Sequence, residues 1–533
     1  MTASAVQPGR GVRPTRWWPG GLAAAGALVA GGLHAGALAP WAHGLAPWMP
    51  AVWQTLALAG LASLLVPARS ARQVAFLTWL YGTVWLVGAT GWMFVSLHRY
   101  GGLPAWLSAL AVGLLCAALS LYLGAAGWLW ARGRSGSWWR DALAWGGAWL
   151  LAEWARAVVF TGFPWGASGY ALVDTPLAGL APWLGVYGVG ALWATAVTAS
   201  VWSLSRHAGV AARLSGLAAA AVLLFVGWGA GRLTFTVPVG TPLSVTLLQS
   251  NVPQDEKFAA ERQGAMLLWH AEQLRSARTT LVVAPETAIP LLPFQLPEGY
   301  WSSLASAFPA SGGRYALVGV PLGDFEHGYT NSIVGLGAGH AGAEPEAWGD
   351  PYRYDKHHLV PFGEFIPWGF RWFVRMMNMP LGDFTRGPLV APSFAVRDQR
   401  VAPTVCYEDL FGEELAARFR DATHAPTILA NVSNLAWFGE SVAIHQHLQI
   451  ARMRSLEFQL PTMRATNTGA TVVIDHQGRV AARLPANTRG ALEATVQGMH
   501  GVTPFAWWAG RAGLWPAFVL ALWLLLRRDR SRH

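Results

Sequence analysis

Long apolar runs fill the first 235 residues of this chain, give way to short strand-like stretches between about 236 and 503, and return once near the C-terminus. A helix needs roughly 20 apolar residues to cross the hydrocarbon of a bilayer. Runs of about that length stand at 17–38, 48–66, 73–97, 103–130, 138–160, 183–205, 213–234 and 505–526, which makes eight candidate spans. Their connections alternate in charge. Arg69 and Arg72, then Arg132, Arg134 and Arg140, then Arg206 and Arg213 share a side with the basic N-terminus (Arg10, Arg13, Arg16) and with Arg527, Arg528, Arg530 and Arg532 of the tail. Basic loops stay cytoplasmic, so both termini are expected there and the 236–503 segment outside the cytoplasm. No signal-peptidase pattern follows the first run, which reads as an uncleaved helix. Trp pairs at 17–18, 138–139 and 507–508 fall at span ends, where indoles anchor at the interface.

Within 236–503 the period changes. LSVTLLQS, TTLVVAPE, YALVGVPL, APTVCYED and PTILANVS have strand character and alternate with helical stretches at 256–277 and 441–459. Strands alternating with helices predict a layered α/β domain. Several of these strands end directly in polar residues: Gln249 to Asn251, Glu286, Cys406 to Asp409, and Asn431 to Asn434. Strand ends in such folds commonly gather a site. The chain thus divides into a bundle of seven helices over 1–235, an α/β domain over 236–503, and a last span with a basic tail over 504–533.

Composition supports the division. Of 533 residues, 53% are hydrophobic and 12% charged, and the mean hydropathy is +0.32, too apolar for an ordinary soluble protein. The net charge of +10 is uneven: 236–503 holds 20 basic and 24 acidic side chains, net −4, and the remainder is net +14. The basic excess therefore marks membrane topology, and no nucleic-acid partner is expected. Two cysteines, Cys116 in an apolar run and Cys406 in the α/β segment, build no disulfide framework. Glu153 and Arg156, three apart in the fifth run, can pair on one helix face. Intramembrane charges are costly enough to suggest function, but a structural pair inside the bundle is the simpler reading.

Only two of the 38 basic residues are lysines. An ammonium is a compact point charge, where a guanidinium is a planar fork. Lys257 has bland surroundings, whereas Lys356 sits in the polar stretch YDKHHLVPFGE. Cys406 follows APTV and precedes Tyr407, Glu408 and Asp409. A free thiol is only a few per cent thiolate at neutral pH and needs a base to attack. No histidine lies within a few residues, so the base must come from elsewhere in the fold, and Glu286 is a carboxylate at a strand tip. Lys356 would supply positive charge for an oxyanion. Taken singly, each is equally a buried strand cysteine, a surface Glu and a surface Lys. His357, His358, His445 and His447 come with no Cys pair and no H-E-x-x-H spacing, and a separation of two puts His445 and His447 on different helix faces. Neither a metal nor a cofactor is expected. No G-x-S-x-G elbow or P-loop is present.

Together these segments resemble a family. APETAIP with Glu286, YDKHHLVPFGEF with Lys356 and VCYEDLF with Cys406 are similar, in that order, to the Glu, Lys and Cys motifs of the nitrilase (carbon-nitrogen hydrolase) superfamily. More narrowly, KHHLVPFGE, SNLAWFG with Trp437, HQHLQIARMRSLE and the eight-span frame resemble the apolipoprotein N-acyltransferase family. One departure stands out: Phe258 follows NVPQ where that family often has Trp. The resemblance implies an αββα sandwich over 236–503 and a Glu286, Lys356, Cys406 triad. Glu286 would take the Cys406 proton, the thiolate would attack an acyl ester of a membrane phospholipid, and Lys356 with the Tyr407 amide would hold the oxyanion. The thioester would then pass its acyl chain to the amine of a diacylglyceryl-cysteine at an apolipoprotein's N-terminus. Glu364 would orient the ammonium and Glu408 the loop after the nucleophile, the alternative for both being ordinary surface salt bridges. Phe258, Trp368, Trp372, Trp437 and Phe438 are the candidate substrate-binding residues. The implied setting is a bacterial inner membrane with the domain in the periplasm and the protein a monomer.

Lipid substrates would explain the spans, since each methylene drawn from the bilayer costs about 0.8 kcal/mol. The stretch 365–384 mixes Trp368, Phe370, Trp372, Phe373, Met376, Met377 and Met379 with Arg371 and Arg375. That composition suits an interfacial lid that dips among acyl chains while its arginines meet phosphates; the alternative is a packed core helix. A membrane-tethered amidase or lipid hydrolase with water as acceptor is a second reading of the same triad. A transporter or scaffold carrying a binding domain is a third reading, of another class.

Overall fold

The computed structural model of the protein describes residues 20–38, 46–204, 209–309, 311–324, 326–337, 352–374 and 383–526. Trp17, Trp18, the N-terminal arginines, Arg206, residues 375–382 and the tail from Arg527 lie outside them. Helices occupy all eight apolar runs. Four of them, Gly21–Leu38, Ala105–Arg132, Pro176–Ser203 and Val210–Ala230, are long and apolar enough to cross a bilayer. Two bent pairs, Ala71–Thr90 with Met93–Tyr100 at 63° and Pro504–Ala512 with Trp515–Leu526 at 93°, bring the number to six if each is one span. Among the described residues, four to six spans therefore qualify by length and composition, a multi-pass bundle. Met49–Leu65 has only 17 residues, and Trp138–Val158 carries Arg140, Asp141, Glu153 and Arg156. The last expected span is a broken helix. Gly513 at φ 56° ends Pro504–Ala512, and that first piece packs Phe505, Ala506 and Ala509 against Phe419 and Phe458 of the α/β domain.

Indoles do more in the bundle than anchor its ends. Trp139 and Trp507 are exposed at helix ends, but Trp130, Trp145 and Trp149 are fully buried and pack edge-to-face and tilted against one another in its core. Glu153 and Arg156 form a buried pair at 3.6 Å. Glu153 accepts from the Ser168 amide at 2.7 Å, and Arg156 donates to the Trp165 carbonyl at 2.6 Å. They tie a helix to the loop after it, as a structural pair should.

The α/β segment folds into two six-stranded sheets packed face to face. One runs Gly490–Val496, Leu243–Gln249, Leu281–Val283, Tyr315–Asp324, Gly328–Leu336, Tyr352–Asp355; the other runs Val480–Arg483, Val472–Ile474, Thr462–Thr466, Ile428–Ser433, Gln399–Val405, Phe394–Val396. Each has three parallel strands at its centre and antiparallel edges. Leu243, Val245, Leu281 and Ile333 of the first interdigitate with Val401, Val405, Ile428 and Met463 of the second. The outer face of the first sheet is covered by Ala260–Ser276 and Tyr300–Ala305. That of the second is covered by Ala443–Phe458 and Pro504–Ala512. Alternate side chains of a strand point to opposite faces, so strands buried on both sides read as near-continuous apolar runs. The result is the αββα sandwich expected.

The helix Ala443–Phe458 is also the seam with the bundle. Gln446 accepts from Trp92 Nε1 at 3.0 Å and Trp165 Nε1 at 2.7 Å, and donates to the Ala89 carbonyl at 2.8 Å. Gly185 at φ 67° breaks the Ala181–Ser203 helix, and the next amide, that of Val186, donates to Glu457 Oε1 at 2.8 Å. Arg99 pairs with Asp255 and Asp174 with Arg452. These two weakly charged loops therefore lie at the domain's end of the bundle, as the charge alternation requires.

Candidate active site

Cys406 sits where Gln399–Val405 leaves the sheet and a one-turn helix, Cys406–Leu410, begins. Its φ is +50°. A left-handed conformation costs a residue with a Cβ about 1–2 kcal/mol, so the surroundings must hold it. His447 Nε2 lies 3.1 Å from the Cys406 carbonyl oxygen and Asn431 Nδ2 lies 3.4 Å from it. Arg464 Nη2 stands 2.9 Å from His447 Nδ1, and a guanidinium can only donate. Nδ1 is therefore the acceptor, and Nε2–H donates to Cys406. Burial, with the Arg464 charge, holds this imidazole well below the usual range and so neutral. Asp409 anchors Arg464 at 3.1 Å, and Trp165 of the bundle stacks on the ring at 5.5 Å.

Glu286, three residues past the Leu281–Val283 strand, is buried, as are Lys356 and Glu364. Asn331 Nδ2 bridges the two carboxylates, 2.8 Å from Glu286 Oε1 and 2.8 Å from Glu364 Oε1. Lys356 Nζ lies 2.9 Å from Glu364 Oε1 and 3.7 Å from Glu286 Oε1. The Asn434 amide donates to Glu286 Oε2 at 2.8 Å, and the Val360 amide to Glu364 Oε2 at 2.8 Å. Burial alone would lower the Lys356 pKa, but Glu364 and Glu286 outweigh it and hold the ammonium charged. Burial pushes the Cys406 thiol well above its ordinary range and Glu286 adds to this, while Lys356 and the Asn434 amide pull the other way. At rest Cys406 is thus a thiol, and Lys356 a cation between two acids.

Glu408 is no surface salt bridge. It accepts from Tyr354 OH at 2.8 and 2.7 Å, the His357 amide at 2.7 Å, the His358 amide at 3.2 Å and the Val405 amide at 2.6 Å. It thereby ties the loop after Lys356 to the strand end before Cys406. Tyr407 turns its hydroxyl to the Gly162 carbonyl of the bundle at 3.1 Å.

Lys257 corrects the sequence reading. Its surroundings looked bland, yet it is 3% exposed and donates to the Glu286 carbonyl at 2.9 Å. Burial lowers its pKa to about 8, against the opposing pull of Glu286 and Cys406. Both lysines of the chain belong to the site. Scarcity was the signal, and it applied to both residues. Asn331, inside a strand, carried no signal. The polar Gln249–Asn251 stretch is structural: Gln249 binds the Pro485 and Thr488 carbonyls, and Asn251 binds that of Asn487. The four histidines form no metal cluster among the described residues.

Of the candidate substrate residues, the structure brings Trp437 and Phe438 to the seam. Phe438 packs on Trp92 at 4.2 Å, while the Trp437 carbonyl accepts from Ser96 Oγ at 2.7 Å and its ring meets Tyr100. Phe258 is half-buried next to Lys257. Trp368 is 98% exposed and Trp372 62%. They stand out from the domain surface, which excludes the packed-core reading for the described part of 365–384. Arg375, Met376, Met377 and Met379 lie outside the described residues.

Two family descriptions match the chain, "Apolipoprotein N-acyltransferase N-terminal domain" over residues 30–201 and "Carbon-nitrogen hydrolase" over residues 245–504. The chain is similar to the apolipoprotein N-acyltransferases of Ralstonia nicotianae, at 47% identity over 90% of each chain, and of Verminephrobacter eiseniae, at 47% over 92% of each. That of Bordetella bronchiseptica is 42% identical over 97% of each. Likeness of this degree, spanning the bundle, the seam and the αββα domain alike, makes the chain a member of the apolipoprotein N-acyltransferase family, acyltransferases with a carbon-nitrogen hydrolase domain.

Proposed function

We propose that the protein moves an acyl chain from a membrane phospholipid, through a thioester on Cys406, to the N-terminal amine of a diacylglyceryl-cysteine apolipoprotein. The observation that carries this is the placement of Cys406, at a held left-handed turn, between a buried Glu286–Lys356–Glu364 network and the membrane bundle. Glu286 takes the thiol proton as the sulfur attacks the ester carbonyl, so the buried thiolate need not exist before the reaction. Negative charge then develops on the carbonyl oxygen. Lys356 and the Tyr407 amide are the donors for it, each worth about 3–4 kcal/mol when preorganised. Collapse expels the lysophospholipid, its alkoxide taking the proton back from Glu286, and leaves the thioester. The free amine attacks the thioester, Glu286 accepts its proton and passes it to the departing sulfur, and the Cys406 thiol and the Glu286 carboxylate are restored. Glu364 orients the ammonium of Lys356. Glu408 keeps the Lys356 and Cys406 loops in register.

The donor stays in the bilayer because the site sits on it. Trp437 and Phe438, seated against Trp92 and Tyr100 of the bundle, are where the acyl chains would pass, and Phe258 is a further contact for them. Trp368 and Trp372, exposed beside Arg371, form a lid that meets the membrane surface. The domain faces the periplasm of an inner membrane, with both termini cytoplasmic, and the protein works as a monomer without a cofactor.

The test is covalent. Incubated with phospholipid, wild-type protein should gain one acyl mass on the peptide containing Cys406, and Cys406→Ala should gain none. An undiminished adduct in the variant refutes the mechanism. A diacylated lipopeptide should discharge the adduct as a triacylated product, whereas discharge by water alone would assign a hydrolase instead.

A further inference from the structure

Beyond the catalytic network, a cavity of about 300 Å³ lies between the end of the Trp138–Val158 helix, the break at Gly513 and the loops behind the nucleophile's turn. Glu286, Lys356, Glu364 and Cys406 are not among its walls. Its polar lining is Thr161, His358, Arg386, Glu413 and Glu414. Three buried atoms of that lining, Thr161 Oγ1, His358 Nε2 and Glu413 Oε2, have no hydrogen-bond partner among the described residues. Buried polar atoms are nearly always paired, so three orphans on one wall point to an occupant.

The orphans define its chemistry. His358 Nδ1 lies 2.9 Å from Glu414 Oε1. A carboxylate accepts, which places the proton on Nδ1 and leaves Nε2 a bare acceptor. Glu413 Oε2 is an acceptor as well once its carboxyl is ionised, and a hydroxyl serves either way. Apart from Arg386, the ionised wall offers acceptors. A primary ammonium brings three N–H donors and a positive charge. Burial, with Glu414 nearby, pushes the Glu413 carboxyl up to about 8, so near neutral pH it holds a proton that a bound cation would displace. The mouth is amphipathic. Val158 and Trp515 are 43% and 61% exposed on the bundle side, and Trp515 opens the last apolar helix. Exposed Arg386, whose guanidinium lies over the Phe365 ring, stands at the opposite rim.

We propose that this cavity holds the headgroup of an aminophospholipid, its primary ammonium on His358, Glu413 and Thr161, its phosphate on Arg386, and its chains along Val158 and Trp515. This lipid is bound and unreacted, at a site apart from the acyl donor's. It braces Phe411 and His358, which flank the turn of Cys406 and the loop of Lys356.

Native mass spectrometry of the full chain carrying Cys406→Ala, with diether lipids, tests this without any acyl transfer, so the result is independent of the catalytic reading. At equal concentrations, phosphatidylethanolamine should be retained at least fivefold over phosphatidylcholine, whose quaternary ammonium has no N–H. Glu413→Gln, which is isosteric, and Val158→Trp, which narrows the exposed mouth, should each abolish that preference. Equal retention of the two lipids, or a preference that survives both variants, overturns the proposal. So does displacement of phosphatidylethanolamine by a free-amine lipopeptide, which would assign the cavity to a peptide amine. Density for water alone, in an electron cryomicroscopy map from phosphatidylethanolamine nanodiscs, overturns it too.

Discussion

Lys356→Arg keeps a charge and changes only its shape. The native side chain is 1% exposed, with Nζ 2.9 Å from Glu364 and 3.7 Å from Glu286. An ammonium has three N–H donors. One is donated to Glu364, Glu286 is an ion-pair partner beyond hydrogen-bond distance, and the remaining donors are left for the oxyanion. A guanidinium would lie flat against one carboxylate and form a two-pronged pair with it, drawing its charge away from the reacting carbonyl. It is also larger, and overpacking a closed site costs about 1–3 kcal/mol. Loss of one preorganised oxyanion donor costs about 2.7–4 kcal/mol, which is 10²–10³-fold in kcat. The variant should therefore fold, because its charge still offsets two buried acids, while lipopeptide acylation falls about 10²–10³-fold and the burst of Cys406 acylation slows in parallel. Lys356→Met is the contrast: it strands Glu286 and Glu364 without a cation, a loss of about 3–5 kcal/mol, and should fail to accumulate. Purified protein, a fluorescent diacylated lipopeptide and intact-mass detection of the acyl-enzyme suffice. If Lys356→Arg turns over within threefold of wild type with a normal burst, the point-charge argument is wrong.

Three further outcomes follow from the same contacts. His447→Ala removes a donor to the Cys406 carbonyl, worth about 1–3 kcal/mol; kcat should fall about 10–100-fold with KM little moved, and His447→Gln, which can still donate, should recover part of the loss. No difference between Ala and Gln would show that the bond does not position the nucleophile. Burial holds Lys257 in the folded chain at about 8, below the ordinary lysine value of 10.5. Between these two values the unfolded chain binds more protons, so this group makes stability rise with pH across that window, and its buried charge at pH 7 costs up to about 3 kcal/mol. Lys257→Met should hold or raise the pH 7 melting temperature and flatten its rise above pH 8; a fall in melting temperature would contradict this. Arg156→Ala leaves Glu153 buried without its partner, which should cost about 3–5 kcal/mol and lower the yield of folded protein but not its specific activity, and Glu153→Ala in the same chain should restore part of the yield. Unchanged thermal stability of the single variant would make the pair dispensable.

How far the sequence could be read depended on whether the deciding force was local. The apolar runs, the strand period and the Cys406, Glu286 and Lys356 motifs were legible because hydropathy and strand alternation act within a few residues, and because a rare residue type stands out in any order. The breaks inside the apolar runs were not. Whether Trp515–Leu526 continues Pro504–Ala512 depends on Gly513 adopting φ 56° and on Phe505 having Phe419 and Phe458 to pack against. Glu153 and Arg156 were visible as neighbours three apart, yet only the loop that brings Ser168 and Trp165 to them makes the pair a structural one.

The sequence by itself marked the division into a membrane bundle and an α/β domain, from periods of 2 and 3.6 residues; the αββα form and the candidate nucleophile, base and point charge came from the resemblance of its Glu286, Lys356 and Cys406 motifs to the nitrilase superfamily. Only the tertiary structure decided that Asn331 joins two acids, that Lys257 is the site's second lysine, and that His447 holds the Cys406 turn against Trp165 of the bundle. The reason is burial. Hydrogen bonds between residues 33 to 45 positions apart, as Asn331 makes with Glu364 and Glu286, are set by which strand ends the closed sheets bring together, and a buried acid must find its partners there or lose its charge.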